Sequence, residues 1–205
     1  MTKILKFYNS SPNLKKLKEA ADFLEKGALI IYPTDTVYAI GCLINQTKTL
    51  NKLANLKGVK LEKAMFSFFF KNFEELSKYV KPLDNPTFKL LKRCLPGPFT
   101  FILPSLKLPK PFHKRKSIGI RISNHPVLDA LLDFCSVPLI TSSLHDQDKI
   151  IDYSTDPELI FDRWGSNIDL MLEDGYGGNI PSTVIDLCKG STVILRKGKG
   201  DLDLI

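Results

Sequence analysis

Residues 27–41 read GALIIYPTDTVYAIG, and the way this stretch folds orders the rest of the chain around it. Gly27 is a natural helix stop, because a glycine just past a helix takes up the left-handed backbone that other residues avoid. Behind it ALIIY is a short apolar run of the kind that forms a buried strand. Upstream, Ser11 followed by Pro12 predicts a helix start. That helix runs to about Lys26, with Leu14, Leu17, Ala20, Ala21 and Leu24 recurring at three and four residues. KILKFY before it is compact and apolar, so the chain opens as strand, helix, strand. YPTDTVYAIG at 32–41 is rich in hydroxyls and is expected as a turn between apolar elements.

Downstream, Thr47 caps a predicted helix through about Leu56, and MFSFFF has the length and aromatic content of a strand. Asn72 with Glu75 makes a capping-box pattern, and Asn85 with Pro86 opens a helix through about Cys94 that PGP at 96–98 ends. FTFIL and SIGIRI are predicted strands. Asn124 with Pro126 starts a helix whose Leu128, Leu131 and Leu132 face inward, and PLITSS follows as a strand. Residues 145–154 are polar and acid-rich; Asp156 with Pro157 restarts a helix to about Trp164, and NIDLML, STVIDL and STVILR close the chain as strands. Alternating elements early and consecutive strands late predict an α/β fold with a twisted mixed sheet and flanking helices, one domain over 1–205.

Composition agrees with a folded core. Of 205 residues 43% are hydrophobic and 25% charged, which argues against disorder, collagen-like repeats and mucin-like stalks. Apolar runs are broken well short of the roughly 18 residues a membrane-spanning helix needs. The N-terminal residues lack the long apolar stretch of a signal peptide, so a cytoplasmic location is expected. Cys42, Cys94, Cys135 and Cys188 are widely spaced and form no C-x-x-C, which points to reduced thiols rather than zinc or a disulfide framework.

Lys and Arg number 29 against 22 Asp and Glu, a net charge of +7. The charge is clustered: in KLPKPFHKRK, residues 107–116, Lys107, Lys110, Lys114, Arg115 and Lys116 surround prolines that forbid regular structure. This is expected to be a mobile basic loop, either a solvated basic face or one facing phosphates. No GxxxxGK[ST], GxSxG or HExxH is present, and His113, His125 and His145 lie in unrelated contexts. What remains is a set of Ser, Thr, Lys and Arg suited to holding phosphates and carboxylates. On spacing alone Thr34 and Thr36 also read as shaping a turn, Ser142 and Ser143 as bonding backbone, and Arg121 as pairing with a surface carboxylate.

Taken in order, GALIIYPTDTVYAIG, LPGPFTFIL from Leu95, IGIRIS from Ile118, PLITSS from Pro138, PSTVIDL from Pro181 and VILRKG from Val193 resemble the YrdC/YciO family, whose catalytic members are threonylcarbamoyl-AMP synthases. The resemblance implies a YrdC-like fold, a twisted α/β sheet around a basic concave groove. It also implies a nucleotidyltransferase reaction joining L-threonine, bicarbonate and ATP, with Mg2+ accompanying the nucleotide, into threonylcarbamoyl-AMP for tRNA adenosine-37 modification. Carried over by position, Thr34, Arg121 and Ser182 resemble substrate contacts, Lys57 the catalytic lysine of a K-x-R pair, and Lys57, Ser143 and Arg196 nucleotide contacts. Some family members bind double-stranded RNA, which implies Lys107, Lys110, Lys114, Arg115 and Lys116 as RNA contacts.

The pattern departs from the synthases in particular places. K-x-R is here Lys57-Gly58-Val59, where Lys60 or Lys63 is expected to compensate. The family's N-P-L-x-x-H is here Lys63 to Phe68, which implies a pocket reshaped by Phe68, and Ser-x-Asn is Ser143-Leu144-His145. These changes are similar to the YciO-like branch. Two functions stay open: a threonylcarbamoyl-AMP synthase, or a paralogue binding double-stranded RNA or nucleotide through the same groove.

Overall fold

Successive residues along a strand face opposite sides of a sheet, and in the computed structural model of this chain that parity divides the core in two. Residues 2–8, 10–144 and 155–205 are described; His145 and the acid-rich segment 145–154 lie outside them. The elements are β1 (Lys3–Lys6), α1 (Leu14–Glu25), β2 (Ile30–Tyr32), β3 (Ala39–Leu43), α2 (Thr47–Leu56), β4 (Ser67–Phe69), α3 (Phe73–Ser77) and α4 (Asn85–Cys94). They continue with β5 (Phe99–Pro104), β6 (Ser117–Arg121), α5 (Pro126–Leu132), β7 (Leu139–Ser143), α6 (Pro157–Trp164), β8 (Leu170–Glu173), β9 (Thr183–Asp186) and β10 (Val193–Arg196). All described strands join one mixed sheet in the order β1-β8-β2-β3-β7-β4-β6-β5-β9-β10.

One apolar cluster unites Ile30, Tyr32, Leu43, Phe69 and Leu139 with the inward faces of α1 and α5. The other unites Ile31, Ile40, Phe68, Phe70, Phe101 and Ile120 with residues of α2, α3, α4 and α6. Neighbours in sequence thus enter different cores: Ile30 against Ile31, Phe69 against Phe68.

Local chemistry sets the element boundaries. α1 starts later than Ser11-Pro12 implies, because Asn13 is its cap, with its side chain accepting from the Lys16 amide at 3.1 Å. Leu14 is accordingly exposed, while Leu17, Ala20, Ala21 and Leu24 are buried. Asn72 accepts from the Glu75 amide, and Glu75 returns the bond to Lys71 rather than to Asn72. The turn expected at 32–41 is shorter, since Ala39–Leu43 forms a central strand paired with β2 and β7. Gly41 permits that pairing: a Cβ there would lie 2.2 Å from the Ile140 carbonyl oxygen.

Two sequence expectations are corrected. The basic loop between β5 and β6 is packed rather than loose, for Leu108 and Phe112 are buried and Phe112 meets Phe68 edge-on at 5.4 Å. Phe68 itself is fully buried in the aromatic core and reshapes no pocket; Ser67, on the other face of β4, is the residue that lines one. Truncating a buried aromatic removes its transfer energy and leaves a void. Phe68→Ala should therefore lower the unfolding free energy in urea by about 3–5 kcal/mol.

Candidate active site

The cavity floor is built by register. Gly41 pairs with Thr141, Thr141 with Ser67, Ser67 with Gly119 and Gly119 with Ile102, so one row of mostly small side chains crosses five adjacent strands on one face. The next row on that face, Leu43, Leu139, Phe69 and Arg121, runs from the apolar cluster under α1 and α5 to the guanidinium. Beyond those helices the small row is left open, and a cavity of about 500 Å3 lies over it, lined by Ser67, Thr100, Gly119, Thr141, Ser182 and Arg121 among others.

Arg121 stands at the inner end. Its Nη2 donates to Asp35 Oδ1 at 2.7 Å, its Nη1 to Thr36 Oγ1 at 3.2 Å, and its guanidinium carbon lies 4.7 Å from the centre of the Phe69 ring. The side chains of Arg121 and Asp35 are 8% and 4% exposed. The carboxylate expected opposite Arg121 is thus buried rather than on the surface. Burial pushes the Arg121 pKa down and Asp35 opposes it; an arginine remains cationic through such a shift. Arg121 Nε and Asp35 Oδ2 have no partner among the described residues.

The PTDT turn that presents Asp35 is fixed from within. Thr34 Oγ1 donates to Val37 O at 2.7 Å and accepts from the Thr36 amide at 3.0 Å, while Lys199 Nζ donates to Asp35 O at 2.6 Å. Thr34 shapes the turn and does not line the large cavity; it lines a second one of about 230 Å3 with His125 and Asp174. It is Thr36 that touches Arg121.

On the other wall Ser182 Oγ lies 2.8 Å from Thr100 Oγ1, and Arg196 donates to Ser182 O through Nε at 3.1 Å and Nη2 at 2.9 Å. Ser143 lines the cavity from β7, across the sheet from Ser182, and Lys57, at the C-terminus of α2, donates to the Ser143 carbonyl at 3.2 Å without lining the cavity. Val59 is exposed and outside the lining; of the cations weighed as its compensation, Lys63 lines the cavity and Lys60 does not. The basic loop divides: Arg115 and Lys116 line the cavity, whereas Lys107, Lys110 and Lys114 are exposed away from it. Among the described residues no group of three His, Cys, Asp or Glu is placed to hold a metal ion.

The structure thus brings together Arg121, Ser143, Ser182, Arg196, Arg115 and Lys116. The residues that motif reading passed over, Ser67, Thr100, Gly119 and Thr141, had a signal: each is small or polar directly after a large apolar residue that packs into the core on the other face.

A family model, Sua5_yciO_yrdC, described as telomere recombination, matches residues 22–198. The chain belongs to this family. The uncharacterized protein YciO of Escherichia coli is 34% identical over 98% of each chain, and its crystal structure superposes at a TM-score of 0.90 over 100% of this chain and 99% of that one. The threonylcarbamoyl-AMP synthase of Marinobacter nauticus is 28% identical over 88% of this chain and 96% of its own length. The crystal structure of P. abyssi Sua5 complexed with L-threonine gives a TM-score of 0.85 at 25% identity, over 96% of this chain and 58% of that one. These relatives bear out the twisted mixed sheet with flanking helices. No helix among the described residues is long and apolar enough to cross a membrane.

His125 makes the second cavity sensitive to pH. Its Nε2 lies 3.5 Å from Asp174 Oδ2, and burial holds its pKa below the ordinary 6.5 despite Asp174 and Asp35, with Lys199 adding to the depression. A histidine depressed in the folded state is bound more readily by protons when unfolded, so its neutral form favours folding. Stability should be full above pH 6.5 and fall as the pH drops through the depressed value. Urea midpoints taken across that window should flatten in His125→Gln.

Proposed function

We propose that this chain is a threonylcarbamoyl-AMP synthase-like enzyme acting on L-threonine, bicarbonate and ATP, and supplying tRNA adenosine-37 modification. The observation that carries the reading is Arg121, a buried guanidinium clamped by Asp35 and Thr36 at the inner end of a cavity large enough for a nucleotide and an amino acid together. The relation to the Marinobacter nauticus synthase and to the L-threonine complex of P. abyssi Sua5 supports it.

The chemistry needs position and charge neutralisation more than a nucleophilic side chain. The threonine nitrogen bonds the carbon of bicarbonate and water is lost; a carbamate oxygen then bonds the α-phosphorus of ATP as the bond to pyrophosphate breaks. Arg121 holds the threonine carboxylate, Ser182 orients the carbamate, and Arg196 with Lys57, through the Ser143 wall, offsets phosphate charge. Thr34 acts by fixing the turn that carries Asp35 and Thr36. Magnesium enters with ATP as part of the substrate.

Purified protein given ATP, magnesium, bicarbonate and L-threonine should release pyrophosphate only when both of the last two are present. Arg121→Lys, which keeps the charge and loses the fork, should lower kcat/KM by about one to two decades, as loss of a charge-assisted hydrogen bond does. Release that ignores threonine would sink the reading.

A second reading, a paralogue that binds double-stranded RNA, is favoured by the exposure of Lys107, Lys110 and Lys114 outside the cavity. Phosphate-dominated binding weakens linearly in log salt, with about 0.9 of a unit of slope per neutralised phosphate. Neutralising these lysines to Gln should flatten that slope; unchanged affinity would remove them from any RNA surface.

A further inference from the structure

The cations around the cavity are not equivalent. Arg121 is compensated by Asp35 at 2.7 Å, so the inner end carries a formally neutral pair. Such a pair offers directed donors to one compact carboxylate and little field for a polyanion. At the mouth stand Lys63, Arg115 and Lys116 with Glu62 as the acidic neighbour in the lining, which leaves a formal excess of positive charge there. No ion pair within 4.0 Å joins any of these three cations to a carboxylate among the described residues.

Arg115 is also held in place before any ligand arrives. Its guanidinium carbon lies 4.6 Å from the centre of the buried Phe112 ring, and its Nη2 donates to the carbonyl of buried Ala64. Its backbone is fixed as well: the Arg115 carbonyl accepts from Ser105 Oγ at 2.9 Å, and the Lys116 carbonyl accepts from the Ser105 amide at 2.9 Å. A cation positioned in this way loses little freedom on binding an anion. Lys107, Lys110 and Lys114 are exposed and do not line the cavity.

We infer that Arg115, with Lys63 and Lys116, forms a polyphosphate-binding arm at the cavity mouth, so that the amino acid sits inward on Arg121 and the outer phosphates of the nucleotide sit outward on the β5–β6 loop. The inference rests on the nucleotide reading of the cavity and adds the orientation of the substrates and the residues at the phosphate end. It also gives the leaving pyrophosphate the solvent side of the cavity, with the carboxylate end closed behind it.

Isothermal titration with ATP, AMP, inorganic tripolyphosphate and L-threonine tests the arm. In the unaltered protein ATP should bind more tightly than AMP, and tripolyphosphate should bind alone. Arg115→Ala should weaken ATP and tripolyphosphate by about tenfold to a hundredfold, as loss of a charge-assisted hydrogen bond does, with AMP and L-threonine little changed. The double variant Lys63→Ala and Lys116→Ala, which leaves the Arg115 packing intact, should act in the same direction, and thermal unfolding confirms that each variant is folded. Variants that bind tripolyphosphate as the unaltered protein does, or an unaltered protein that does not bind it, would overturn the inference. An unaltered protein that binds tripolyphosphate and ATP through Arg115 but does not bind L-threonine would uphold the arm and overturn the synthase reading instead.

Discussion

A guanidinium and a carboxylate 2.7 Å apart, both out of water, tie the turn between β2 and β3 to the end of β6. Taking either charge out of solvent alone costs several kcal/mol, which is why buried ions occur paired. The pair therefore constrains both segments. Asp35 lies beside Arg121 because the PTDT turn closes as it does on the Thr34 hydroxyl, and Arg121 reaches it from the row next to the small one, beside Phe69. Ser123 adds a third anchor by donating to Asp35 at 3.1 Å. Asp35 Oδ2 and Arg121 Nε, without a partner among the described residues, leave this cluster with hydrogen-bonding capacity still to be met, the condition in which a buried polar group favours a ligand or ordered water.

The cavity follows from how little of one sheet face the helices cover. α1 and α5 pack over the end of the face formed by β1, β2, β3, β7 and β8, where Leu, Ile and Phe fill the space beneath them. Past them the inward positions shrink to Ser67, Gly119 and Thr141, and large apolar residues pass to the other face. A cavity over a rigid sheet keeps its donors in place without loop ordering, which suits chemistry that depends on position more than on a reactive side chain. Charge is then graded along it, from a compensated pair inside to the open cations of the β5–β6 loop at the mouth.

Much of this was legible in the residues. The apolar periodicity of α1 and α2, the Asn72 cap, the Pro-led starts of α4, α5 and α6 and most of the strands stand where sequence places them, because each depends on chemistry within a few residues. β3 was not legible: AIGCL continues a hydroxyl-rich turn, and its strand state depends on partners about 100 residues away in β7. The site was half legible. Arg121, Ser143, Ser182 and Arg196 could be named from ordered motifs, while the bonding of the Thr34 hydroxyl inside its own turn and its place in the second cavity depend on tertiary structure. Phe68 looked like a pocket residue because linear alignment with a motif ignores parity, and parity sends it to the core.

The sequence by itself determined the alternation of elements, the mixed sheet, the family and the kinds of side chain available for chemistry, since these rest on local propensity, periodicity and motif order. Only the tertiary structure decided which of the basic residues share a cavity. It paired Arg121 with Asp35 across 86 positions, turned Arg115 and Lys116 inward and left Lys107, Lys110 and Lys114 outside. The reason is physical: charge pairing and burial act through space, and strand register, which no short window of residues contains, sets those distances.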